Sequence, residues 1–184
     1  MSSKVETKQM NSKLTVVIGY GNDLRGDDAV GPLAATAVAA SDMPSVQALA
    51  VHQLVPELAE ALALADMAIF VDARVPSPPL LHQDSAPGDE GEEIVSVHPI
   101  EPAAIDSAIG HTGDPRALLA LTKALYGRCP VAWSIAVPAS SFVFGAGLSP
   151  AAERGLTVAL QQIRELIDVQ DKALIEPCSL YNLR

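Results

Sequence analysis

The chain has 184 residues, 49% of them apolar, and a formal charge of −10 from 12 basic and 22 acidic side chains. That balance excludes nucleic acid as a partner, because gripping a polyanion takes clustered Lys and Arg, and no apolar run reaches the ~18 residues that span a bilayer. The length suits one domain that buries roughly 70% of its unfolded surface, and with one Trp, three Tyr and three Phe its core must be aliphatic.

Residues 1–13, "MSSKVETKQMNSK", are polar and lack an apolar h-region, so they read as a flexible leader and not as a signal peptide. "KLTVVIGY" (13–20) is apolar almost throughout, as a parallel strand covered on both faces would be. An alanine-rich helix follows from Asp28, with Asp27 or Asp28 near its N-terminus, and "SVQALAVHQL" (45–54) offers a second strand ending near His52. "VPELAEALALA" (55–65) is a helix with Pro56 in its first turn, and "MAIFVDAR" (67–74) is a buried strand ending at Asp72.

The stretch after it, rich in Pro, Gly and acids, reads as an irregular loop. "EIVSVHPI" (93–100) is a more exposed strand. In "DPRALLALTKALYG" (114–127), Asp114 caps a helix, Pro115 opens it and Gly127 stops it. "PVAWSIAVPA" (130–139) is the fifth strand, and a Ser-Pro start opens a long helix over 149–170. Residues 171–184 are a tail, and residues 14–170 form the single α/β domain.

This order predicts a three-layer α/β/α sandwich with a twisted, mostly parallel five-stranded sheet. Function in such sheets gathers at the carboxyl ends of the strands. Asp27 and Asp28 follow strand one, His52 ends strand two, Asp72 ends strand three, and His111 precedes a helix.

The stretch "GYGNDLRGDD" superficially resembles a phosphate-binding turn. In G-x-G-x-x-G, however, the third glycine follows the second by three residues, whereas here Leu24 stands there and Gly26 comes two residues late. The two aspartates would also repel a phosphate, and no Gly-Lys-Ser/Thr occurs in the chain. Either aspartate alone would be read as a helix cap, since acids at a helix start gain roughly 0.3–1 kcal/mol from its dipole. Both cannot cap alike, which leaves one free to face the cleft. Asp72 closes so apolar a strand that its carboxylate needs a partner or a cation. Asp28, Asp72 and His111 together make a two-carboxylate, one-imidazole set suited to a divalent ion such as zinc or nickel. His82 and His98 read as solvent-facing, and Trp133 and Cys129 as core. Two cysteines without C-x-x-C fit a reducing cytoplasm. No G-x-S-x-G elbow occurs, and Ser140 and Ser141 lack an obvious base.

"VIGYGNDLRGDDAVG", "IFVDA", "GHTGDP" and "VPASSFVFGAGLSP", in that order, resemble the hydrogenase maturation proteases. These endopeptidases trim the C-terminus of the large-subunit precursor of [NiFe] hydrogenases. The resemblance implies metal binding by Asp28, Asp72 and His111, with the two aspartates as the catalytic groups. It implies nickel as the recognised ion, carried by the precursor, and other divalent ions such as zinc or cadmium as able to occupy the site. Where many members carry Asp-Gly-Gly-Thr after the second strand, this chain has His52 and Gln53, resembling the subgroup that matures bidirectional, NAD-linked hydrogenases. His52 could there be an extra ligand, a proton carrier or a substrate contact, with substrate contact ranked first; Gln53 beside it and Asp27, which could orient the substrate, are expected to bind substrate too. A non-catalytic alternative keeps the same residues in a nickel-sensing checkpoint protein that docks on the precursor.

Overall fold

The structure is a computed structural model that describes residues 13–75, 95–104 and 113–172. The leader through residue 12, the acidic loop with His82, the segment holding His111, and the tail from residue 173 with Cys178 lie outside the described residues.

The elements are β1 (Thr15–Tyr20), a 3-10 turn (Gly26–Ala29), α1 (Val30–Ala40), β2 (Val46–Val51), α2 (Leu58–Leu64), β3 (Met67–Arg74), β4 (Ser96–Ile100), α3 (Pro115–Tyr126), β5 (Val131–Pro138) and α4 (Pro150–Lys172). They form one five-stranded sheet in the order β2-β1-β3-β5-β4. All neighbours pair parallel except β4, which runs antiparallel to β5 at the edge. An α/β fold with a mostly parallel sheet and helices on both faces is thus what the sequence predicts.

Alternation along the strands sorts the core into two layers. Val17, Ile69, Val71, Ile135 and Val137 face one way, against α1 (Val30, Ala34, Val38) and α4 (Ala159, Ile163, Ile167). Val16, Ile18, Ala68, Phe70 and Ala132 face the other, against Ala59 and Leu62 of α2 and Leu118 and Leu119 of α3. Ile163 and Ile167 follow Ala159 at the four-residue spacing that keeps one helical face on the sheet. Trp133 and Cys129, read as core, are only partly buried at the margins of these layers. His98 is exposed on edge strand β4, as expected.

Local signals set the ends of α3. The Asp114 carboxylate accepts the Arg116 N–H at 2.8 Å, Pro115 is the first helical residue, and Gly127 turns left-handed at φ 72°. The start of α1 obeys a different rule. α1 begins at Val30, two residues beyond the expected Asp28, after the 3-10 turn, and neither aspartate caps it. Its first turn lies directly on the sheet. A Cβ at Gly31 would overlap the carbonyl oxygens of Tyr20 and Val71, and one at Gly19 would overlap the Gly31 carbonyl. Helix and strand therefore touch backbone to backbone over β1 and β3. Gly31→Ala is expected to destabilise the fold by about 2 kcal/mol, because overfilling a packed contact of this kind costs about 1–3 kcal/mol. Urea unfolding checks it, and an unchanged midpoint would mean that α1 can lift off the sheet.

Candidate active site

The strand order reverses direction at β1: β2 lies on one side of it and β3, the next strand in sequence, on the other. Such a switch point opens a crevice at the carboxyl ends of the strands, where the connecting segments diverge. Asp28 follows β1 and Asp72 lies near the end of β3, so the two carboxylates flank this crevice.

Register places Gly19 beside Val71, and so Tyr20 beside Asp72. The Tyr20 hydroxyl lies beside the Asp72 carboxylate and favours its ionised form. Ala73 N–H donates to Asp72 Oδ1 at 2.7 Å. Burial pushes the Asp72 carboxyl up, Ala73 N–H and the Tyr20 hydroxyl oppose this, and the Asp28 charge adds to the rise, so that the pKa stands at about 6. The Tyr20 hydroxyl is itself driven far above its ordinary range, first by burial and then by the charge of Asp72 beside it. Sequence reasoning missed Tyr20. Its signal was a phenol at the end of a strand that pairs in register with the strand bearing Asp72.

Asp28 is partly exposed on the 3-10 turn, with Oδ2 accepting the Asn22 N–H at 3.0 Å. Its charge adds, as the smallest of the causes, to the rise of the Asp72 carboxyl.

Asp27, expected to touch substrate, does something else. Its side chain is 0% exposed. Oδ2 accepts the N–H groups of Ser140 (2.8 Å) and Ser141 (2.9 Å) and the Ser149 hydroxyl (2.9 Å), while Oδ1 accepts Ser149 N–H at 2.6 Å. Burial alone would raise its carboxyl, but the donors from Ser149, Ser140 and Ser141 outweigh burial and hold it below the ordinary carboxylate range. Asp27 is thus a buried clamp between the β1–α1 and β5–α4 loops, out of a substrate's reach in this arrangement. Ser140 and Ser141, which lacked a base in the sequence, are the donors to that clamp. Ser149 also starts α4, its Oγ accepting Ala152 N–H at 3.2 Å.

His52 and Gln53 follow β2 and are exposed, on the same edge of the sheet as the carboxylates. Among the described residues, neither forms a hydrogen bond to Asp28 or Asp72. His111 lies outside the described residues, and among those described no group of three His, Cys, Asp or Glu side chains gathers around one point. Two carboxylates at the crevice are what the described residues supply: hard oxygen donors that can hold a divalent ion with help from a further ligand, or hold and deprotonate a water.

No family model and no curated protein matches the sequence. Solved structures do match the fold. A [NiFe] hydrogenase maturation protease HycI from Thermococcus kodakarensis KOD1 aligns over 86% of this chain and 95% of its own, at 22% identity and a TM-score of 0.61. The hydrogenase maturating endopeptidase HybD from E. coli aligns over 85% and 93%, at 20% identity and a TM-score of 0.57. A hydrogenase 2 maturation peptidase from Thaumarchaeota archaeon SCGC_AB-539-E09 aligns over 85% and 99%, at 21% identity and a TM-score of 0.60. The fold is that of the hydrogenase maturation proteases. Nearly their whole length is covered by the likeness. No described helix is long and apolar enough to cross a membrane.

Proposed function

We propose that this chain is an endopeptidase that removes the C-terminal extension from the nickel-loaded large-subunit precursor of a [NiFe] hydrogenase. The observation that carries the reading is the pair Asp28 and Asp72, two mutually repelling carboxylates at the switch point of a hydrogenase-protease fold. In this reading Asp28, Asp72 and His111 grip the nickel that the precursor brings, and the grip aligns the precursor's tail in the crevice. His52 and Gln53 contact the precursor from the adjoining strand end, and their presence there is the feature by which the chain resembles the bidirectional, NAD-linked subgroup. The setting is the cytoplasm, where large subunits are assembled before they function.

The chemistry is amide hydrolysis. Before nickel arrives the Asp72 carboxyl stands at about 6 and is ionised at neutral pH; in the complex, the Asp72 oxygen that the metal leaves free takes a proton from water. The resulting hydroxide attacks the scissile carbonyl. The proton held on Asp72 then passes to the departing amine as the C–N bond breaks, which leaves a new carboxylate on the mature subunit and a free peptide.

Mass spectrometry of nickel-loaded and nickel-free precursor, each incubated with this protein, tests the proposal. The expected result is loss of a C-terminal peptide from the loaded precursor only. Equal cleavage of both would remove nickel recognition. Stable binding without cleavage would turn the reading into a nickel-sensing checkpoint protein with the same residues.

A further inference from the structure

The rim of the crevice beside Asp28 has a character that the carboxylates do not explain. Leu24 is 53% exposed, Val143 63% and Phe144 73%, so that three large apolar side chains stand in solvent on two loops. The loops are held together: Gly145 N–H donates to the Leu24 carbonyl at 2.8 Å, and Arg25 pairs with Phe144 in an antiparallel bridge. The Asp27 clamp fastens the base of the same two loops. These apolar groups are therefore displayed on a braced platform.

Charge narrows what the platform meets. Residues 139–149 contain no charged side chain, and Asp23 and Arg25 balance each other around Leu24, on a chain whose net charge is −10. The rim is a neutral, apolar place on an acidic protein, suited to a neutral and apolar stretch of partner. Its position selects the partner. Asp28 N–H donates to the Arg25 carbonyl at 3.1 Å, which puts Leu24 within one turn of the Asp28 carboxylate. A second copy of this chain seated there would cover the crevice. A polypeptide whose scissile bond reaches Asp28 and Asp72 instead has its flanking residues at the rim.

We propose that Leu24, Val143 and Phe144 form the docking rim for an apolar, uncharged segment of the substrate polypeptide next to the bond that is cut. The inference rests on the endopeptidase reading and assigns to that site the residues that set its substrate affinity. Burying exposed apolar side chains in an interface concentrates binding energy in a few anchors, of which Phe144 is the largest here.

The test is the triple variant Leu24→Ser, Val143→Ser, Phe144→Ser, assayed for tail release from a nickel-loaded [NiFe] hydrogenase large-subunit precursor. Because all three side chains are exposed, its melting temperature should match the wild type; Phe144→Ala alone replaces it if it does not fold. The expected result is a KM raised about tenfold with kcat within about twofold, the split produced by losing binding that ground and transition states share. An unchanged KM overturns the rim. If wild-type protein binds the precursor without cutting it, the endopeptidase reading fails by itself, and the rim is then judged on Kd: about tenfold weaker binding by the variant sustains it, and equal binding overturns it. A wild-type dimer that the variant loses, with precursor affinity unchanged, would assign the rim to self-association and overturn the proposal too.

Discussion

Asp72→Asn is expected to lower tail release from a nickel-loaded precursor by at least about a hundredfold, while making the free protein more stable at neutral pH. Both effects have one cause. The Asp72 carboxyl stands at about 6 in the fold, against an ordinary 3.8, because burial and then the Asp28 charge penalise the ionised form more than the Ala73 N–H and the Tyr20 hydroxyl relieve it. With the folded pKa above the unfolded one, the native state binds the proton more tightly. The contribution of Asp72 to stability is therefore most favourable below about pH 4, falls as pH rises towards about 6, and is flat above that. A two-unit shift corresponds to about 2.7 kcal/mol at most, and partial solvent access reduces this to about 1–2 kcal/mol. Asparagine escapes the penalty and can still accept the hydrogen bond from Ala73 N–H. The variant should gain about 1–2 kcal/mol at pH 7.5 and nothing at pH 4, as read by urea unfolding at both values. A variant less stable than wild type at pH 7.5 would show that the ionised carboxylate is paired in the fold, and near-wild-type processing would remove Asp72 from the chemistry.

Asp27→Asn is expected to act in the opposite sense, costing about 2–3 kcal/mol, the scale of a buried donor left unsatisfied and of hydrogen bonds to a charged group lost. The wild-type carboxylate accepts from Ser140, Ser141 and Ser149 with both oxygens. Asparagine has one acceptor oxygen, and its NH2 group must face either the Ser149 N–H or the N–H pair of Ser140 and Ser141, donor against donor. The pH signature also inverts relative to Asp72. The folded pKa of Asp27 is depressed, so its contribution is present above the ordinary carboxylate range and is lost as pH falls through the lower folded value. The gap between wild type and variant should accordingly narrow in strong acid. A loss below about 1 kcal/mol at pH 7 would mean that the backbone bonds Asp27 N–H to Ser141 and Gly145 N–H to Leu24 hold the two loops without the clamp.

Neighbouring stretches of the same crevice are unlike materials: burial opposes the charge of Asp72, whereas hydrogen bonds hold that of Asp27. In the endopeptidase proposed above, a site that holds a cation keeps its carboxylates under-paired, and the scaffold around it supplies the missing stability. In this chain the support comes from Asp27, one residue from Asp28, and from the close contact of Gly19 and Gly31 beneath them.

The sequence by itself determined whatever depends on neighbours a few residues apart. Alternating aliphatic strands and amphipathic helices set the α/β class, and Asp114, Pro115 and Gly127 marked the ends of α3 because a cap is satisfied within one turn. An aspartate late in "AIFVDAR" pointed to the crevice, since a carboxylate behind so apolar a run needs a partner or a cation. Only the tertiary structure decided which of two adjacent aspartates was the clamp. Asp27 and Asp28 are chemically identical and equally placed before a helix, and they are told apart by donors 113 and 122 residues away that no local pattern encodes. The pairing of Tyr20 with Asp72, the carbonyls that exclude a side chain at Gly31, and the junction of Leu24 with Gly145 are of the same kind. Each is a contact between segments far apart in the chain, and it comes into being only when the sheet closes and brings its carboxyl-end loops together.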